Sequence, residues 1–156
     1  MKSVKFRVEE LLRINTTRVL LYQGQYDLAA GPVQVEAWVK TMKWEGIEDY
    51  LNAERKIWKV NGELAGYVQQ WKSLTNVVVL GGGHLMPADQ PLSVQAMIQD
   101  WVLQRAPFSL ITFSIRTNMP TLLESEAMKK VQAELDNTIH LGGCIGIQAR
   151  KVPKKG

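Results

Sequence analysis

Cysteine is nearly absent: Cys144 stands alone among 156 residues, so no disulfide can form within the chain. One thiol and two histidines, His84 and His140, cannot close a four-ligand zinc site without carboxylates. No metal or other cofactor is expected. No apolar run approaches the roughly 20 residues of a membrane-spanning helix, so no membrane partner is expected. The start, Met1-Lys2-Ser3-Val4-Lys5-Phe6-Arg7, lacks the unbroken apolar core of a signal peptide. Charge of one sign is not in large excess. A net charge of +4 is modest, and the basic end formed by Arg150, Lys151, Lys154 and Lys155 reads as a solvated terminus rather than a nucleic-acid contact. The glycine triplet Gly81-Gly82-Gly83 is not followed by Gly-Lys-Ser/Thr, which argues against a phosphate cradle. What remains is the composition of one soluble globular domain, long enough to bury a core. Asn15-Thr16-Thr17 is a glycosylation sequon, usable only in a secreted chain.

Apolar spacing divides the chain into elements. Val4, Val8, Leu11 and Leu12 recur at helical intervals and predict a helix over Val4 to Arg13. Val19 to Tyr22 is apolar without alternation, as in a strand covered on both faces. Gly31-Pro32 opens a second helix whose stripe is Val35, Trp38, Val39 and Met42. Trp44 to Glu54 reads as an irregular or short helical connection. Asn61-Gly62, between Ile57–Val60 and Glu63–Trp71, predicts a hairpin. A turn near Ser73, a strand over Asn76 to Leu80 and a helix over Pro91 to Leu103 follow. That helix is expected to bury Val94, Met97, Ile98, Trp101 and Val102.

Residues 105–156 form an unassigned, partly helical tail. Phe108 to Ile115 has the partial alternation of a strand, and Pro120 to Asp136 carries a helical stripe of Leu123, Ala127, Val131 and Leu135. Ser125 to Asp136 is similar to a helix of haem-thiolate monooxygenases, but a dozen residues cannot build a haem pocket.

Two segments share a form that carries chemistry. Val19-Leu-Leu-Tyr-Gln-Gly24-Gln-Tyr-Asp27 is a buried-strand run, a glycine, then a carboxylate. Val77-Val-Val-Leu-Gly81-Gly-Gly-His84 is a buried-strand run, glycines, then an imidazole. Open α/β sheets place chemistry at the carboxyl ends of their strands. An Asp followed later by a His on such ends has the order of the last two members of a hydrolase triad. The carboxylate would orient the imidazole, and the imidazole would act as general base and then acid. The nucleophile is the gap. None of the six serines, Ser3, Ser73, Ser93, Ser109, Ser114 and Ser125, sits in a Gly-x-Ser-x-Gly elbow.

Both segments and the stretch between them resemble the C-terminal part of the serine carboxypeptidase family. The match is carried by Val19–Asp27, Thr41-Met-Lys-Trp44-Glu-Gly46, the Ile57–Val60 to Ala65-Gly66-Tyr67 hairpin, and Gly82-Gly-His84 through Asp89-Gln90-Pro91. The resemblance implies an α/β fold in which residues 1–104 are the C-terminal part of an α/β-hydrolase sheet with flanking helices, and 105–156 an extra tail. Such a piece is expected to leave a sheet edge unpaired and an apolar face bare. The family implies serine-type release of C-terminal residues from peptides, with Asp27 and His84 as its catalytic acid–base pair. Leu85 and Met86 would line the leaving-group pocket, where many members carry Met directly after the His. A peptide is the implied substrate, once the missing N-terminal part or a partner chain supplies the serine, so this chain alone is expected to be inactive. Acyl transfer on the same fold, or a non-catalytic interaction module or fragment, are the alternatives. Relatives are secreted or vacuolar, which the missing signal peptide leaves open.

Overall fold

The computed structural model describes residues 4–14 and 16–104, with the backbone of 146–151. The elements run α1 (Lys5–Arg13), β1 (Thr17–Gly24), α2 (Pro32–Val39), α3 (Ile47–Asn52), β2 (Arg55–Val60), β3 (Glu63–Trp71), β4 (Leu74–Val79), α4 (Met86–Asp89), α5 (Pro91–Val102) and β5 (Gly146–Lys151). They build one mixed sheet in the order β2-β3-β4-β1-β5. β1 and β4 are parallel neighbours at its centre, and the other pairings are antiparallel.

The unalternating apolar run of β1 is explained by what covers it. Leu20 faces one layer of core with Trp58, Val77, Val79, Met97, Trp101 and Val102, beneath α5. Val19 and Leu21 face the opposite layer with Val8, Leu12, Val35, Val39, Tyr50 and Leu74, beneath α1, α2 and α3. Alternate side chains of one strand point to opposite faces, so the stretch Val19–Leu21, buried on both, is apolar without alternation. β4 is also buried at every position, including its polar Thr75 and Asn76, and Gln23 Nε2 on β1 donates to Asn76 Oδ1 at 3.1 Å.

The hairpin forms where Asn61-Gly62 predicts it. Both residues adopt positive φ, 53° and 85°, as the twist of a two-residue turn requires, and Val60 pairs with Glu63 across it. β2 forms an outer edge with Lys56 and Lys59 exposed, which discourages further strand pairing. Arg18 ties the sheet to the end of α5, donating to the Trp101 carbonyl at 2.8 Å with its guanidinium 5.1 Å from the indole centroid.

Among the described residues the sheet has open edges at β2 and β5, whereas the flank of β1 away from β4 is covered. There β5 pairs antiparallel along it, from Thr17↔Lys151 to Tyr22↔Gly146. The tail therefore contributes a strand where its sequence reads as a Gly-rich stretch and polar end, because the backbone groups of β1 find partners there. The strand expected over Phe108–Ile115, the helix over Pro120–Asp136, and His140, Cys144 and Asn15 lie outside the described residues. Among the described residues no helix is long and apolar enough to cross a membrane.

Core position and surface position should separate in unfolding experiments. Trp58 is 1% exposed and its neighbour Ile57 59%. Trp58→Ala is expected to cost about 3–5 kcal/mol, whereas Ile57→Ala should stay within about 0.5 kcal/mol of wild type. Urea midpoints at unchanged slope measure both.

Candidate active site

Parallel pairing sends the continuations of β1 and β4 out at the same end of the sheet, with Gly24 opposite Val79. The two loops are then laced by backbone hydrogen bonds. Gln25 N–H donates to the Val79 carbonyl and Tyr26 N–H to the Gly82 carbonyl, each at 2.9 Å. This approach is possible only because Gly24 lacks a side chain: a Cβ there would lie 2.3 Å from the Gly82 oxygen and 2.5 Å from that of Gly83. Gly81 supplies the sharp turn, with φ of +70°.

The loops bring Asp27 and His84 together across 57 residues of chain. His84 Nδ1 lies 3.0 Å from Asp27 Oδ2. The Asp27 side chain is 4% exposed and that of His84 45%, so a buried carboxylate holds a partly exposed imidazole. The second oxygen of Asp27 is also occupied. Oδ1 accepts the N–H groups of Ala29 at 2.8 Å and Ala30 at 3.0 Å. Burial pushes the Asp27 carboxyl up, but the Ala30 N–H, the His84 imidazole and the Ala29 N–H together outweigh it and hold the group below its ordinary range. Ionised Asp27 only accepts, so the proton in its bond to His84 belongs to Nδ1. In the neutral imidazole that leaves Nε2 as the acceptor. This arrangement can take a proton at Nε2 and stabilise the resulting imidazolium.

The remaining candidates fall in different surroundings. Leu85 is 70% exposed beside His84, while Met86 is 4% exposed and packs in the core layer beneath the glycine turn. Ser73 precedes β4 and so lies at the opposite end of the sheet from His84, and Ser93 is in the first turn of α5. Ser3, Ser109, Ser114 and Ser125 lie outside the described residues. No group of three or more potential metal ligands occurs among the described residues. The sequence did not single out Ala29 and Ala30 as donors. An Asp whose carboxylate can accept N–H groups two and three residues on is the general signal for such a turn.

The family model for serine carboxypeptidases matches residues 1–104. The chain belongs to the serine carboxypeptidase family. It is 49% identical over 109 residues to serine carboxypeptidase-like 50 of Arabidopsis thaliana, covering 69% of this chain and 24% of that protein. It is 41% identical over 110 residues to the probable serine carboxypeptidase CPVL of Dictyostelium discoideum, covering 69% and 21%. The chain thus spans about a quarter of the length of these relatives. The crystal structure of Kex1(delta)p, a prohormone-processing carboxypeptidase from Saccharomyces cerevisiae, superposes with a TM-score of 0.56 at 18% identity, covering 94% of this chain and 26% of that one. That likeness confirms the α/β-hydrolase architecture of the sheet and its flanking helices.

Two outcomes test the geometry. Gly24→Ala is expected to lower the unfolding free energy by about 1–3 kcal/mol, since backbone rather than a flexible side chain opposes the new methyl. Asp27→Asn tests the carboxylate through pH. A carboxyl held below its ordinary value of 3.8 stabilises the fold fully above that value, and the stabilisation is lost as pH falls through the lower folded value. The wild type should therefore exceed Asp27→Asn in stability by a constant amount near neutrality, and the gap should close on acidification. Thermal unfolding across pH 2 to 7 (an illustrative range of about five units) reads the difference.

Proposed function

We propose that this chain carries the acid–base half of a serine carboxypeptidase site, acting on the C-terminal bond of a peptide when the serine nucleophile is supplied by an N-terminal hydrolase part other than these 156 residues or by a partner chain. The observation that supports this is the 3.0 Å contact between His84 Nδ1 and the buried Asp27 carboxylate at the ends of adjacent parallel strands. In this reading His84 Nε2 removes the proton of the attacking hydroxyl and returns it to the leaving amine. Asp27 fixes the tautomer and stabilises the charged ring, remaining ionised throughout. Leu85, exposed beside His84, is the apolar contact for the departing residue. Met86, buried beneath the turn, serves the pocket by supporting the backbone that carries both.

A His–Asp pair without a hydroxyl to activate has no covalent chemistry of its own. The purified chain is accordingly expected to leave a blocked dipeptide intact and to take no label from a serine-directed fluorophosphonate. Co-expression with a hydrolase segment carrying Gly-x-Ser-x-Gly should produce labelling on that segment, lost again in His84→Ala. Labelling of any serine of this chain alone would overturn the reading.

A further inference from the structure

The glycine turn that carries His84 is held from a second side, by groups that follow the histidine. α4 starts at Met86 and makes a single turn, with the Leu85 carbonyl accepting from Ala88 N–H at 2.8 Å and Asp89 N–H at 3.2 Å. This reversal brings the Asp89 side chain back over the turn, where Oδ2 accepts the Gly83 N–H at 2.8 Å. Gln90 also returns: its Nε2 would lie 2.6 Å from a Cβ placed on Gly81. On the opposite side the Gly82 carbonyl receives Tyr26 N–H. The Gly82–Gly83 peptide unit, one residue before His84, is thus held at both ends, its carbonyl by the Asp27 loop and its N–H by the Asp89 carboxylate.

Without the Asp89 contact, that peptide unit keeps the Tyr26 hydrogen bond on its carbonyl but loses the one on its N–H, and it can pivot about the carbonyl end. A glycine at Gly83, with no Cβ to restrict it, would then leave the His84 backbone free to swing. We infer that Asp89 is a positioning residue for His84: by accepting the Gly83 N–H it keeps the imidazole within hydrogen-bond reach of Asp27. This rests on the functional reading above for its importance to chemistry. The geometry itself can be tested in the isolated chain. Asp89 is exposed, so its replacement should not disturb the core.

The experiment follows the titration of the Asp27 carboxyl by carbon NMR in the full chain and in His84→Ala, Asp89→Ala and Asp89→Asn. Both Asp89 variants delete the same charge. They differ in whether an oxygen still faces the Gly83 N–H, so any difference between them reports the hydrogen bond and not the field. His84→Ala should release Asp27 toward its ordinary value and sets the scale. Asp89→Ala is expected to move Asp27 part of that way, and Asp89→Asn to move it less or not at all. Hydrogen exchange of the Gly83 amide should rise roughly threefold to tenfold in Asp89→Ala, as expected for loss of one hydrogen bond of ordinary net strength, and be restored in Asp89→Asn. If His84→Ala shifts Asp27 while the two Asp89 variants coincide, the positioning role is refuted and the Asp27–His84 pair stands. If His84→Ala leaves Asp27 unmoved, the pair is not formed, and this inference falls with the functional reading.

Discussion

The structure depends on how closely two backbones can pass at the carboxyl end of β1 and β4. Parallel pairing sets these strands side by side, but it does not by itself bring the loops beyond them into contact. That step needs bare backbone at Gly24 and a turn at Gly81 that reverses the chain at once. With both in place, the Tyr26 N–H reaches the Gly82 carbonyl. Asp27 and His84 then need only their own short side chains to meet. The glycines therefore act through geometry: they remove the atoms that would otherwise hold a carboxylate and an imidazole apart.

The same closeness determines the electrostatics. Asp27 is taken out of water, which on its own disfavours its charge. It receives in return two backbone N–H groups on one oxygen and the imidazole on the other. A buried carboxylate saturated in this way keeps its charge into acid, and its field acts on the ring with little solvent between them. The His84 side chain is partly exposed, so the pair combines a fixed, dry inner partner with a ring that solvent reaches.

Much of this was legible in the residues, and the limits are physical. Asn61-Gly62 declares its turn because few residue pairs accept two positive φ values in succession. The run Val19–Tyr22 announces a strand covered on both faces because no polar side chain interrupts it. The Asp27–His84 pair was readable because each follows a strand run and a glycine. Met86 was harder. Its place next to Leu85 in sequence says nothing of which side of a one-turn helix it takes, and that turn sends it into the core. Residues Gly146–Lys151 were missed for a different reason. Ile147-Gln148-Ala149-Arg150 does alternate, but over so few positions that glycines before it and charges after it hide the pattern. Only a neighbour with unpaired backbone groups makes it a strand.

β1 is hemmed on both flanks, by β4 on one and β5 on the other. Segments from a longer hydrolase consequently cannot simply extend this sheet alongside β1. They would join outside β5 or past the lysine-bearing rim of β2, or else Gly146–Lys151 would yield its berth. Gly146–Lys151 thus closes the flank of the strand that leads directly to Asp27.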